Sequence, residues 1–365
     1  MTGKTLLTPR PGIMDLNPYV PGKHALDGFD KLVVLSANES PLGPSPHALA
    51  AYKEAAADLN RYPDGGSNEL REALAAHYGI EAENIVCSNG SDELIAMITR
   101  AYAGPGDEVL FSRHGFAMYP IATLAAGATP VMAPETNLTT DVDALLDHVT
   151  ERTRIVFVAN PNNPTGSFLP TNEITRLRER LRDDVLLVID AAYAEYIVRN
   201  DYSPGTELVR EGGNVVMFRT FSKAYALAGV RLGWSYAPPV ITDVLNRVRN
   251  PFNVTVPAQV AGLAALRDIA HLDAARAHND IWRPKMTAAL EGLGLEVVPS
   301  VANFLLVRFP DDKAKNADAA NAFLTARGIM PRPVGNYGLP AHLRITVGLE
   351  DEVGALVDAL TEFLA

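Results

Sequence analysis

The chain of 365 residues is long enough for two domains or one large α/β unit, and its 47% hydrophobic and 21% charged content supplies a large core and excludes wholesale disorder. A formal net charge of −11, with 32 Lys and Arg against 43 Asp and Glu and no basic block, argues against nucleic acid or an anionic membrane surface as a partner, so an anionic ligand needs a local pocket. The single cysteine, Cys87, permits no internal disulfide and fits a reducing cytoplasm, while residues 1–17 lack a signal-peptide core and no run of about 18 apolar residues predicts a membrane helix.

Residues 1–35 are rich in proline and glycine (Pro9, Pro11, Gly12, Pro18, Pro21, Gly22) and read as an irregular arm. Between Pro46 and Gly79, two helical patterns flank the break Arg61-Tyr62-Pro63-Asp64-Gly65-Gly66. Strand-like and helical runs then alternate. A strand over 84–87 leads to a helix over 92–103, and a strand over 107–111 leads to a helix over 118–126 and a short strand at 130–132. An apolar strand over 154–159 precedes a helix over 171–182; further strands are expected at 185–189, 215–219 and 232–237. Continuous apolar strands separated by helices predict an α/β fold with a mostly parallel central sheet covered on both faces. In such sheets ligands gather beyond the carboxyl ends of the strands.

Past Pro257 a long helical stretch reaches about Gly292, with a break or kink expected at Pro284. Strands at 295–298 and 303–307, a helix over 317–327, a strand over 342–347 and a closing helix over 350–364 then predict a smaller α+β C-terminal domain. The expected division is an arm over 1–35 that packs on the small domain, a large domain over 36–270 and a small domain over 271–365.

Four polar groups follow apolar strands. Asp190 ends Val185-Leu186-Leu187-Val188-Ile189, where a buried carboxylate needs a cationic partner. A protonated pyridine nitrogen would serve, and the N-cap of a helix over 191–197 is an equal reading. Asn160-Pro161-Asn162-Asn163-Pro164-Thr165-Gly166 is stiffened by two Asn-Pro bonds, with room for a cis bond. It makes Asn163 a rigid donor suited to a phenolate oxygen. In Ser88-Asn89-Gly90-Ser91-Asp92-Glu93, Ser91 or Asp92 is the expected helix cap, and the first helical N–H groups form a natural phosphate site, although caps without ligands are common. Lys223 follows Phe218-Arg219-Thr220-Phe221-Ser222 and precedes an apolar run. If buried there, its pKa falls and it becomes a nucleophile toward an aldehyde, with Ser222 and Arg231 placed to grip a phosphate; a lone lysine is more often a surface residue. Arg344 interrupts the apolar pattern of Ile345 and Val347. The eight histidines form no metal-ligand pattern with Cys87, and no P-loop or full Rossmann glycine spacing occurs.

Taken in order, Gly-Ser-Asp-Glu, Asn-Pro-Thr-Gly, Asp-x-x-Tyr and Ser-Lys followed by Arg-x-Gly resemble the fold-type-I pyridoxal-phosphate enzymes. The chain is similar to the class I/II aminotransferases over nearly its full length, and among them to the histidinol-phosphate aminotransferases. The echoes are Asn17-Pro18-Tyr19, Leu35-Ser36-Ala37-Asn38-Glu39, Asn60-Arg61-Tyr62-Pro63, Arg219-Thr220-Phe221-Ser222-Lys223-Ala224 and Leu343-Arg344-Ile345-Thr346-Val347-Gly348.

The resemblance implies pyridoxal 5′-phosphate bound to Lys223 as a Schiff base, with Lys223 then moving a proton between the substrate's α-carbon and cofactor C4′. It implies that Asp190 pairs with the pyridine nitrogen, that Asn163 and Tyr193 bind the ring oxygen, and that Phe116, often tyrosine in relatives, stacks on the ring. Ser91, Asp92, Ser222 and Arg231 match phosphate-site positions. Tyr62 matches a tyrosine that reaches a neighbouring subunit's cofactor phosphate, which implies a homodimer. Arg344 matches the clamp for the substrate's acidic group. Arg332 and Tyr19 match positions that bind the phosphate of histidinol phosphate, and Asn38 and Asn303 line the substrate pocket.

The expected reaction is ping-pong transfer from L-histidinol phosphate to 2-oxoglutarate. The alternatives are an aromatic amino acid or prephenate aminotransferase, an enzyme with both specificities, and, more remotely, a threonine-phosphate decarboxylase. A non-catalytic regulator would need a DNA-binding segment, for which there is no basic module. Two departures from the pattern are Ala191, where many relatives carry glutamate, and the prolines flanking Arg332.

Overall fold

The structure, a computed structural model, describes residues 9–16, 18, 28–29 and 31–365. Seven strands build the large sheet: β1 (Ile85–Ser88), β2 (Glu108–Ser112), β3 (Thr129–Ala133), β4 (Thr153–Ala159), β5 (Leu186–Asp190), β6 (Val215–Thr220) and β7 (Gly233–Tyr236). Their order across the sheet is β1-β7-β6-β5-β4-β2-β3. All neighbouring pairs are parallel except those of β7, which runs antiparallel to both β1 and β6.

Every residue of β1, β2, β5, β6 and β7 is buried, so these strands show no alternation of polar and apolar residues. The reason is that both faces are covered. Side chains of β5 alternate between two apolar cores: Leu187 and Ile189 enter one, Leu186 and Val188 the other. Only the edge strand β3 is substantially exposed.

A second, antiparallel sheet contains β8 (Glu296–Val298), β9 (Phe304–Arg308), β10 (Arg332–Pro333) and β11 (His342–Thr346), in the order β8-β9-β11-β10. Leu305, Val307, Leu343 and Ile345 meet Leu356 and Leu360 of the closing helix Glu350–Leu364 in a third core.

The arm differs from expectation. Val33–Val34 pairs with Ile329–Met330 beside the second sheet, but earlier in the arm Arg10 donates to Ala125 O at the end of helix Met118–Ala126. The arm therefore touches both units.

Of the break or kink expected at Pro284, the break does not occur. The helical stretch divides at Asp268 into Val256–Arg267 and Ile269–Gly292, and Pro284 lies inside the second helix. Asp268 leaves the helical region at φ −90° and ψ 69°, and its side chain accepts from the His271 N–H. Proline removes one backbone bond locally, whereas burial of Asn279, Met286 and Leu290 holds the helix on either side of it.

Candidate active site

Beyond the carboxyl ends of β4, β5 and β6 lies a cavity of about 190 Å³. At its floor the Lys223 Nζ donates to Ala37 O at 3.0 Å. Burial, and then the positive charge of Arg344, pull its pKa down to about 8, which leaves a substantial share of free amine near neutral pH.

Asp190 ends β5 and is 6% exposed. No α-helix covers 191–197; a single 3-10 turn, Ala194–Tyr196, follows, and its N-cap is Tyr193 rather than Asp190. The chain needs that turn to bring Tyr193 back to the cavity. Asp190 still accepts the Ala192 N–H on Oδ1 at 3.1 Å, and its Oδ2 accepts from the Tyr119 hydroxyl at 2.8 Å. Burial outweighs both bonds and pushes its pKa up to about 6. The site thus sets a penalised cation and a penalised anion in one apolar recess.

The Tyr193 hydroxyl accepts from Asn38 Nδ2 at 2.8 Å, leaving its own O–H to donate. Asn38 has a left-handed backbone, φ 56°, and is tied down at both ends: its N–H donates to Thr346 Oγ1 and its carbonyl accepts from Asn303 Nδ2, each at 3.0 Å. Asn163 sits in a loop whose Asn160–Pro161 and Asn163–Pro164 bonds are both cis. Asn160 closes that loop through paired bonds with Leu169 of 3.0 and 2.8 Å. Asn163 Oδ1 accepts from Arg344 at 2.6 Å, so its amide N–H₂ is the group left for a ligand oxygen. Phe116 lines the same cavity, edge-on to Tyr119 with ring centres 6.0 Å apart.

An anion cradle forms the opposite end. Arg231, at φ 57°, turns back to donate to Ser222 Oγ at 3.2 Å and to Asp92 Oδ2 at 3.1 Å. Neither Ser91 nor Asp92 caps the adjoining helix Ser91–Tyr102. Its N-cap is Gly90 at φ 77°, and Glu93 reaches back to the Asn89 N–H at 2.6 Å. Only glycine fits the cap, because a Cβ there would lie 2.3 Å from the Arg231 guanidinium, and one at Gly233 would lie 2.6 Å from Ser91 N. The free N–H groups of this helix and Arg231 suit a phosphate, while the Asp92 carboxylate orients Arg231 rather than facing the anion.

At the mouth, Arg332 and Arg344 are direct cross-strand partners on β10 and β11, 8% and 6% exposed. Arg344 also donates to Ser36 O at 2.6 Å and lies 5.5 Å from the Phe304 ring centre. Tyr62 is elsewhere: it is 82% exposed and stacks on Phe252 at 4.6 Å. Tyr19 lies outside the described residues. Among the described residues no cluster of His, Cys, Asp and Glu suits a metal.

Two features were not read from sequence. Tyr119 reaches Asp190 from a helix that looks merely apolar; the available signal was a buried tyrosine hydroxyl, which needs a partner. The buried Glu195–Arg219 ion pair, 3.4 Å apart, lies behind the cavity.

A nucleophilic amine, a buried carboxylate and an anion cradle at these strand ends fit pyridoxal phosphate, and with this fold they define a fold-type-I pyridoxal-phosphate transferase. The chain belongs to the aminotransferase class I and II family, whose family model matches residues 30–360. It is 58% identical to histidinol-phosphate aminotransferase of Paramagnetospirillum magneticum, covering 99% of both chains, and 55% identical to that of Rhodospirillum centenum, covering 98% of both. A crystal structure of histidinol-phosphate aminotransferase from Sinorhizobium meliloti, in complex with pyridoxal-5′-phosphate, superposes with a TM-score of 0.84 at 32% identity, over 91% of this chain and 90% of that one.

Proposed function

We propose that the protein transfers the amino group of L-histidinol phosphate to 2-oxoglutarate, yielding imidazole-acetol phosphate and L-glutamate. The observation that carries this reading is the buried cross-strand pair Arg332 and Arg344 over the cavity of Lys223, in a chain 58% identical to a protein of that activity. Like charges placed directly opposite favour an anion between them. Guanidinium forks bind phosphate and carboxylate alike, so one mouth serves both the phosphate monoester and the dicarboxylate.

Bound pyridoxal phosphate supplies an electron sink for the substrate's α-carbon. With it bound, the Lys223 amine would carry the proton between that carbon and cofactor C4′. Asp190 would pair with the ring nitrogen, Asn163 and Tyr193 would serve as donors to the ring oxygen, and Phe116 would cover the ring face. Ser91, Asp92 through its N–H, Ser222 and Arg231 would hold the phosphate. Asn38 supports Tyr193 and the substrate side of the cavity. Because both half-reactions use one site, the kinetics are ping-pong. We further propose a cytoplasmic homodimer in which Tyr62, exposed on one chain, completes its neighbour's phosphate site.

The test is to mix cofactor-loaded protein separately with L-histidinol phosphate and L-phenylalanine and follow loss of the cofactor's visible band. Fast loss with histidinol phosphate alone supports the proposal. Equal or faster loss with phenylalanine moves the assignment to an aromatic aminotransferase. A folded protein without any such band in excess cofactor removes the role of Lys223.

A further inference from the structure

Tyr119 is fully buried on helix Met118–Ala126, and the reaction as described gives it no task. Its hydroxyl donates to Asp190 Oδ2 at 2.8 Å. Its ring is fixed from two sides: it stacks on Phe157 with centres 4.7 Å apart and planes 8° apart, and it meets Phe116 edge-on at 6.0 Å. So clamped, the ring cannot swing the hydroxyl away from the carboxylate. The other oxygen of Asp190 takes the Ala192 N–H at 3.1 Å, so the two donors together define the plane of the carboxylate. Burial holds the ionisation of Tyr119 well above the usual phenol range, so it remains a donor at any working pH.

We propose that Tyr119 is a positioning residue: its hydroxyl keeps Asp190 ionised and in one orientation for the cofactor's ring nitrogen, and its ring ties that orientation to the Phe116 loop. The inference rests on the reading of Asp190 as the partner of that nitrogen. A merely structural tyrosine would use Asp190 only to satisfy its own hydroxyl, and removing the hydroxyl would then leave the ring nitrogen unmoved.

The experiment uses full-length protein loaded with pyridoxal phosphate labelled with ¹⁵N in the ring. The pH midpoint of ring-nitrogen protonation is read by NMR, together with the cofactor dissociation constant and the thermal midpoint. Asp190→Asn tests the underlying reading and should strip the ring nitrogen of its proton across the working range. Tyr119→Phe should keep the fold, lower the ring-nitrogen midpoint by about one pH unit and weaken cofactor binding about ten-fold, as expected for loss of one hydrogen bond to a charged group. Phe157→Leu keeps the hydroxyl and loosens one of the two contacts on its ring; it should lower the thermal midpoint and shift the ring nitrogen by much less than Tyr119→Phe. If Asp190→Asn moves the ring nitrogen and Tyr119→Phe does not, the role of Tyr119 is overturned and the reading of Asp190 stands. If Phe157→Leu moves it as far as Tyr119→Phe, packing rather than the hydroxyl acts, and the proposal is again overturned. If Asp190→Asn leaves it unmoved, both fall.

Discussion

Burial shifts Lys223 and Asp190 each toward its uncharged form, the lysine down to about 8 and the carboxyl up to about 6. The Lys223 pKa of about 8 predicts that attachment of pyridoxal phosphate to the empty protein accelerates from pH 7 to 9 with a midpoint near 8. Stopped-flow absorbance checks this, and a midpoint at the ordinary lysine value would refute the burial of the amine. Both shifts also bear on stability. A lysine pKa lowered from 10.5 to about 8 means that the folded chain binds fewer protons than the unfolded chain in that window, so this group's contribution to stability rises with pH there. Asp190, raised from 3.8 to about 6, binds more protons when folded, so its contribution falls as pH climbs through that range. At pH 7 the empty protein therefore carries a penalised carboxylate. Asp190→Asn should raise its thermal midpoint while weakening its hold on cofactor by roughly a hundred-fold, since one partner of a buried pair is lost. Calorimetry and a cofactor titration separate the two effects, and a lowered midpoint of the empty variant would contradict the burial argument.

Among the elements, the turn after β5 and the strand β6 are joined by Glu195 and Arg219. The pair is buried, and the Arg219 guanidinium lies 4.5 Å from the Tyr78 ring centre, with the Tyr78 hydroxyl 2.9 Å from that of Tyr225. The pair thus fastens the turn carrying Tyr193 to the strand leading into Lys223. Arg219→Met strips the buried Glu195 carboxylate of its ion-pair partner and leaves it the Tyr78 hydroxyl at 3.4 Å, which should cost about 3–5 kcal/mol in urea unfolding. Adding Glu195→Leu should recover most of that loss; equal stability of the single and double variants would refute the coupling. Elements of this kind were legible one by one. Apolar runs marked β4, β5 and β6 because strands buried on both faces carry little else, and helix Met118–Ala126 falls where its pattern placed it. Pro284 does not end its helix, because packing on either side of it outweighs the one backbone bond that proline removes. The capping role given to Ser91 failed because the close approach of Arg231, from a remote segment, reserves the cap for Gly90.

For the whole molecule, the exposed aromatic and aliphatic surface around Tyr62 is the feature a single chain leaves unexplained. Leu59 is 65% exposed, Tyr62 82% and Phe252 44%. A dimer covering this patch predicts a solution mass of twice 39.3 kDa by light scattering. It also predicts that Phe252→Glu dissociates the protein and weakens cofactor binding in the same titration. A monomer of undiminished cofactor affinity would exclude Tyr62 from the neighbouring site.

The alternation of strand and helix, and the placing of Asn163, Asp190, Tyr193 and Lys223 at successive strand ends, follow from neighbouring residues alone. Periodicity, burial pattern and turn chemistry are properties of short stretches. The contacts that tune those groups are not. Tyr119 is 71 positions from Asp190, Arg344 is 181 from Asn163, and Lys223 is 186 from Ala37. Such pairs exist only once strand order and direction are settled, including the antiparallel β7 that the apolar pattern could not distinguish from its parallel neighbours. Which side chains become buried together, and hence which charges are penalised or paired, is a property of the assembled sheet and of no local segment.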